Sequence, residues 1–577
     1  MNVAGFICNF LIANGIDKVF VYPGGTIAPF LHEMEKRGIK IVCFRNEQGA
    51  GYAAIGAAKV SGKPQVVAVT SGPGATNIVT PVADAYYDSI PLIVFTGQVA
   101  TPYINIDKKV RQTGFQETDV VGLFKSITKQ STILTPNDFA EEKLFNALRL
   151  VISERPGPVV IDLPMDTQKK DIESKIVLKE TKLYINKDRE NKEVKKIDIS
   201  SKLKEVINLI DKAERPLILA GNGVFISKAV KELRDFVERT NIPLISSMPA
   251  VGVMPKNHPL YFGFLGHTGE FYANLAMYYS DLILVFGSRL DIRQIGDNLN
   301  VFKSKKVVRV DIDYNEIKYS KIKSHVYFNM DIKVFLQKAV KLSFPTKKYQ
   351  DWLHILKEWK ENYSSSKFYK GDKLFMKDVV EYVSKKCKNR KVVVSSGVGG
   401  HQQIVARYFD FDFPKRVWIT SAGHGTMGFD LPSVLGAFLE KKDYFDFGLV
   451  FVGDGSFQMN IQELATLREF KFPIKIFVLD DRRLGIVSQF QLLNWGKDPA
   501  TGNKNNPSFA KIAMAYDING LNVSSKNELD KLDAVFADNS PWVVHCYINS
   551  KEDVLPMLLA GQELNEMYPF EKVEIKL

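Results

Sequence analysis

Cysteine is scarce in this chain. Cys8, Cys43, Cys387 and Cys546 are the only four in 577 residues, and no two stand at metal-ligand spacing. A disulfide framework and a cysteine-based metal site are therefore excluded. Long apolar runs are also missing, and none reaches spanning length. The first residues, MNVAGFICNFLIANGID, lack the basic n-region of a leader. A cytoplasmic protein in a reducing compartment, with no membrane partner, is expected. Aromatic-basic interleaving is absent too. The net charge of +12 is carried mostly by scattered lysines, densest from Lys169 to Lys204, where acids accompany them. This argues against a nucleic-acid partner and fits anionic substrates and cofactors.

What is present is an ordinary globular mixture, 45% apolar and 25% charged, too long for one core. Short apolar runs alternate with helical segments in three blocks, the βαβ rhythm of parallel sheets covered on both faces. KVFVY, KIVCF, QVVAVT, LIVFTG and PVVIDLP fall in 1–167. PLILAGNG, IPLISSMP, DLILVFGSR and KVVRVDID fall in 201–345. KVVVSSGVG, VWITSAG, GLVFVGDG, IKIFVLDD and WVVHCYI fall in 376–577. Polar stretches 168–200 and 346–375 read as linkers. The expected fold is α/β, with three doubly wound parallel-sheet domains.

The richest segment runs from Gly448 to Gln491. An apolar run ending in Gly453-Asp454-Gly455-Ser456 is a strand turning sharply at a sheet's carboxyl edge, with glycines that admit a ligand. Twenty-four residues separate Gly455 from Asp480, room for one crossover helix and a parallel strand. Asp481 thus returns to the edge that carries Asp454, and two such oxygen donors plus a diphosphate suit magnesium. A plain turn aspartate is the competing reading. Glu47 stands at another strand's carboxyl end, where a helix-start acid is the usual explanation. YPGG (Tyr22, Pro23, Gly24, Gly25) and TSGPGATN (Thr70, Pro73, Asn77) end neighbouring strands as loops suited to close ligand approach.

The series YPGG, NEQGAGYAA, TSGPGATN, FTGQV, FQETD, RPGPVVIDLP, SAGHGTMGF, GDGSFQMN and VLPM resembles the catalytic subunit of acetolactate (acetohydroxyacid) synthases, which depend on thiamine diphosphate, over nearly the whole chain. The resemblance implies that Glu47 bonds the aminopyrimidine ring nitrogen and that Met427, otherwise a core-filling methionine, wedges the cofactor into a bent shape. It implies Asp454, Asp481 and the carbonyl of Arg483 as magnesium ligands. Gly25, Gln98, Val398, Gly399, His401 and Gln402 match positions around the cofactor and reacting carbon, with Gly425, Gly485 and Ile486 beside them. His401 and His424 also admit a packing role. For the middle block the family implies flavin adenine dinucleotide, structural rather than redox. Arg155, Gly221, Gly223, Leu265, Gly266, Gly287, Arg289, Asp291, Arg293 and Asp311 are its expected contacts.

Several residues depart from the family pattern. Asp481 stands for asparagine and keeps an oxygen donor. Asp480 beside it adds an anion that Arg482 or Arg483 is expected to offset. Phe490 replaces a tryptophan of the acceptor pocket, Met165 a lysine on the substrate path, and Asp430 a glycine. The donor half of the reaction, decarboxylation of pyruvate, is expected to survive. The acceptor is then a second 2-keto acid or, alternatively, a keto-sugar nucleotide; pyruvate oxidase chemistry and a non-catalytic scaffold are lesser alternatives. The family also implies a homodimer or homotetramer with active sites between subunits, and a regulatory small subunit as a further partner.

Overall fold

The computed structural model describes residues 1–105, 109–136, 141–172, 199–344, 349–503, 505–549 and 552–575. Most of the stretch read as the first linker lies outside them. Three six-stranded sheets follow one another along the chain, and every strand pairing within them is parallel.

The first sheet contains β1 (Lys18–Tyr22), β2 (Lys40–Cys43), β3 (Gln65–Val69), β4 (Leu92–Gln98), β5 (Gln130–Ile133) and β6 (Val159–Pro164), in the order β2-β1-β3-β4-β6-β5. The second contains β7 (Pro216–Ala220), β8 (Leu244–Ser246), β9 (Tyr261–Phe264), β10 (Leu282–Phe286), β11 (Lys306–Asp311) and β12 (Val326–Asn329), ordered β12-β11-β10-β7-β8-β9. The third contains β13 (Val392–Ser395), β14 (Arg416–Ile419), β15 (Phe447–Gly453), β16 (Ile474–Asp480), β17 (Asn519–Val523) and β18 (Trp542–Tyr547), ordered β14-β13-β15-β16-β18-β17. Central strands such as VVAV and IKIFVLD are buried along their whole length, as sheets covered on both faces require.

One apolar core is shared by the first and third domains. At its centre the helix Glu47–Ser61 crosses the helix Asp430–Lys441. A Cβ on Gly56 would overlap the carbonyl of Ser433, and one on Gly436 would overlap that of Ala53. Only glycine permits backbones to approach so closely.

Two segments depart from the expected boundaries. Residues 346–375 are not a featureless linker: they include the helix Gln350–Asn362, whose Trp352, Leu356 and Trp359 enter the middle core. The tryptophan Nε1 of Trp352 donates to the Pro216 carbonyl at 3.1 Å. The carboxyl-terminal tail, assigned to the third block, also sends Leu558, Leu564, Met567 and Val573 into that core. Its apolar residues find burial there and not on the third sheet.

Candidate active site

In an open parallel sheet, ligands bind beyond the strand carboxyl ends where the strand order reverses. In the third sheet this switch point lies between β13 and β15. The turn after β13 carries Gly397, Val398 and Gly399 into the helix Gly400–Tyr408, and that after β15 carries Gly453-Asp454-Gly455-Ser456. The His401 ring packs on both: Cβ atoms on Gly399 or Gly453 would meet it. Burial pushes the His401 imidazole down to about 4, so it is neutral, and its Nε2 has no hydrogen-bond partner among the described residues.

Asp454 is buried at the start of the helix Asp454–Met459. Its Oδ2 accepts from Asn506 Nδ2 at 2.6 Å and Asn503 Nδ2 at 3.1 Å. Asp481, just beyond β16, is also buried, and burial with the nearby Asp454 charge pushes its carboxyl up to about 7. Among the described residues its Oδ2 accepts no hydrogen bond, and the Arg483 guanidinium approaches it at 3.4 Å. A Cβ on Gly485 would crowd that oxygen at 2.6 Å. Two buried carboxylates, one with an orphaned oxygen, fit a divalent cation. Among the described residues no three His, Cys, Asp or Glu side chains form a metal cage. That suits an ion whose other ligands are diphosphate oxygens, a carbonyl and water.

The expected offset of Asp480 is corrected. Successive strand residues face opposite sides, so Asp480 turns away from Asp481. Its Oδ2 lies 2.8 Å from His545 Nε2, and its Oδ1 accepts from Asn506 Nδ2 and the Arg482 N–H, both at 2.9 Å. Despite burial, these partners hold its carboxyl below the usual range. Arg483 pairs instead with Asp481 and Asp553. Asn503, Asn506 and His545 were not singled out from the sequence, because nothing local marks them as neighbours of Asp454 and Asp480.

The first sheet reverses between β1 and β3; Tyr22 ends β1, and Pro23, Gly24, Gly25, Thr70, Pro73 and Asn77 lie beyond those two strands. A Cβ on Gly24 would sit 2.5 Å from Thr70 Cβ, so the turns touch. Tyr22, Pro23 and Gly25 are exposed. Glu47, buried at the first turn of its helix, accepts from Asn77 Nδ2 at 3.0 Å. Gln98 is fully engaged: Nε2 donates to Asp162 Oδ2 at 3.0 Å and the Thr118 carbonyl at 2.8 Å, and Oε1 accepts the Val99 N–H. Asp162, missed in the sequence, is its anchor.

Met427 and Leu484 converge on Gly455: a Cβ there would lie 3.4 Å from Met427 Cε and 2.8 Å from Leu484 Cδ2. Ile486 is half-buried, and Phe490, 51% exposed, packs edge-on against Trp495. Met165, half-buried, opens the short helix after β6. Among the described residues no hydrogen bond, ion pair or cavity joins Glu47 to Asp454, Asp481 or Met427 within one chain.

The second sheet reverses between β7 and β10, where a cavity of about 360 Å³ opens. All ten residues expected around a flavin line it, from Arg155 to Asp311, and it continues to Val398, Gln402 and Gly425 of the third domain. A Cβ on Gly221 would overlap the Gly287 carbonyl, and one on Gly223 would lie 2.8 Å from Gly287 Cα. Arg155 is held by Glu316 at 2.6 Å and Asp313 at 3.3 Å. Asp291 caps the turn that carries Arg293 and pairs with Arg289 at 3.2 Å. Burial pushes the Asp311 carboxyl up to about 6. Tyr87, Asp88 and Ser89 of the first domain line the same cavity, and no local motif marks them for it.

Three family models of thiamine pyrophosphate (diphosphate) enzymes match the chain: the N-terminal TPP-binding domain over residues 1–123, the central domain over 203–339 and the C-terminal TPP-binding domain over 397–546. The large subunit of acetolactate synthase isozyme 2 from Escherichia coli is 34% identical, over 98% of this chain and 99% of its own. The large subunit of the Lactococcus lactis acetolactate synthase is 34% identical, over 96% and 93%. The mitochondrial catalytic subunit from Saccharomyces cerevisiae is 32% identical, over 96% and 82%. Full-length similarity and three sheets with furnished switch points agree: the chain belongs to the thiamine diphosphate-dependent acetolactate synthase catalytic-subunit family.

Proposed function

We propose that this protein decarboxylates pyruvate and joins the two-carbon unit to a second 2-keto acid, giving acetolactate-type products. The observation that carries this reading is the pair Asp454 and Asp481, buried together at the third switch point with one carboxylate oxygen unpartnered. In this reading they hold Mg²⁺ with the Arg483 carbonyl, and the glycine turns around His401 take the diphosphate. Thiamine diphosphate, when bound, supplies a carbon nucleophile that adds to a keto group and takes up the electrons released on decarboxylation. Glu47 holds a proton at its carboxyl for the aminopyrimidine ring, and Asn77 fixes its direction. Met427 and Leu484, both against Gly455, would exclude water from the cofactor. Gln98, braced by Asp162, shapes the substrate end with Gly25, while Met165, Ile486 and Phe490 border the acceptor.

A flavin occupying the middle cavity fits its glycine crevice, its arginines and Asp311. A homodimer, or a tetramer built from it, fits the absence, among the described residues, of any hydrogen bond, ion pair or cavity joining Glu47 to Asp454 within one chain. It also fits exposed apolar residues in the first and third domains, Phe115 at 85% and Phe490 at 51%. A regulatory small subunit is a further proposed partner, since several relatives are named large subunits. No helix among the described residues is long and apolar enough to cross a membrane, and the four cysteines are free, in keeping with a reducing, cytoplasmic setting.

The test is to incubate purified protein with thiamine diphosphate, Mg²⁺, flavin and pyruvate alone, and to follow both pyruvate loss and acetolactate. Acetolactate formation is the expected result. Pyruvate loss without acetolactate overturns the keto-acid acceptor and points to a keto-sugar nucleotide, which the relatives named above do not favour.

A further inference from the structure

Asp430 stands where the family resemblance leads one to expect glycine, and its carboxylate is spent in an unusual way. It is the first residue of the helix Asp430–Lys441 and is fully buried. Oδ1 accepts the N–H of Gly397, in the turn after β13. Oδ2 accepts the Ser456 hydroxyl at 2.8 Å, in the turn after β15. Ser456 Oγ accepts in its turn the N–H of Gly428, next to Met427, at 2.9 Å. One carboxylate therefore ties together the three backbone segments that wall the third switch point.

Two opposite consequences compete. A buried anion near a diphosphate would repel it. Against that, each Asp430 oxygen already accepts a donor, the charge sits at a helix N-terminus that favours it, and the Ser456 hydroxyl stands between it and the rest of the turn. Charge-assisted hydrogen bonds of this kind hold geometry firmly. The same helix crosses the helix that begins at Glu47 through the glycine contacts at Gly56 and Gly436.

We propose that Asp430 is a positioning residue that sets the register of the three thiamine diphosphate-binding turns before the cofactor arrives. In consequence, Ser456 serves as a strut between the turns and not as a direct cofactor ligand. This rests on the reading of the third switch point as the thiamine diphosphate crevice.

The experiment is isothermal titration of thiamine diphosphate at saturating Mg²⁺ into full-length wild type, Asp430→Gly, Asp430→Asn, Ser456→Ala and the double variant Asp430→Gly/Ser456→Ala, with the thermal midpoint of each cofactor-free protein. Asp430→Gly, which removes the bonds to Gly397 and Ser456, and Ser456→Ala, which removes those to Asp430 and Gly428, are each expected to weaken binding about tenfold or more. The double variant, in which the shared Ser456–Asp430 bond is lost only once, should be weaker than either single one but by less than the product of their effects. Asp430→Asn, which accepts from Gly397 and donates to Ser456, should recover part of the affinity. Cofactor-free midpoints near that of wild type would separate positioning from a general loss of fold. Binding by Asp430→Gly as tight as wild type or tighter overturns the proposal, as does multiplication of the two single effects in the double variant. If Asp430→Gly does not fold, Ser456→Ala decides, and unchanged affinity there overturns the strut. Wild type that binds no thiamine diphosphate overturns the reading of the crevice itself, and the strut with it.

Discussion

The first and third sheets share one strand order, 2-1-3-4-6-5 when each is numbered from its own first strand, whereas the middle sheet runs 6-5-4-1-2-3. The switch points of the two alike sheets are furnished oppositely. The first offers small residues, a threonine pair (Thr26 and Thr70, 2.8 Å apart) and one buried glutamate. The third offers two buried aspartates, two asparagines and a glycine cradle. One scaffold thus carries two differently furnished switch points, because loops beyond the strand ends change without altering the sheet. The middle sheet has the strand order of dinucleotide-binding folds, and its crevice is kept open by glycines whose side chains would collide.

The sharpest way to break this comparison is to disable the two alike sites separately. Glu47→Gln should lower acetolactate formation by about 10²–10⁴-fold while leaving thiamine diphosphate binding within a few-fold, measured by steady-state rate beside titration calorimetry. Asp481→Ala should do the reverse, weakening Mg²⁺-dependent cofactor binding about tenfold or more. Asp481→Asn should restore most of that binding, since it keeps an oxygen donor. Equal effects of Glu47→Gln and Asp481→Ala on binding and turnover would erase the division of labour.

Gly287→Val separates the middle sheet from the other two. Its φ of 60° disfavours a side chain, and a Cβ would lie 2.6 Å from Ile332 Cδ1 and 2.7 Å from Gly223 Cα. Retention of the proposed flavin, read from visible absorbance of purified protein, should be lost while thiamine diphosphate still binds.

The join between the alike domains is open to two smaller perturbations. Gly436→Ala forces a Cβ into the Ala53 carbonyl and should cost about 1–3 kcal/mol in denaturant unfolding. Glu463 of the third domain accepts the Arg45 N–H at 3.0 Å at the foot of the Glu47 helix, and burial pushes its carboxyl up to about 7. Because the folded pKa is raised, the unfolded chain releases its proton first. Stability from this group is therefore full below about pH 4.5, falls as pH rises towards 7, and stays low above it. Glu463→Gln should flatten that decline, by on the order of 2–3 kcal/mol at neutral pH, in melts compared from pH 4.5 to 8.

Legibility in the sequence followed burial. The fourteen strands read from apolar runs are present, and the four passed over, β5, β9, β12 and β17, are all edge strands. Edge strands pair on one side only, so QSTI and NGLNV carry polar residues that a central strand would bury. Motif residues at strand ends were equally legible, because a sharp turn at a ligand demands glycine and small polar groups in a fixed local order. The helix Gln350–Asn362 was hidden by the polar residues around its three buried anchors.

The sequence by itself determined the three parallel sheets, the motifs at their edges and the family, since each depends on local pattern and on residues near one another in the chain. Only the tertiary structure decided that Asp480 turns to His545 while Asp481 faces the crevice, that Asn503 and Asn506 hold Asp454, that Asp162 braces Gln98 and that Asp430 spans three turns. These pairs are separated by between 26 and 65 residues. Their partners are selected by how strands and helices pack in space, and no local period in the chain records that choice.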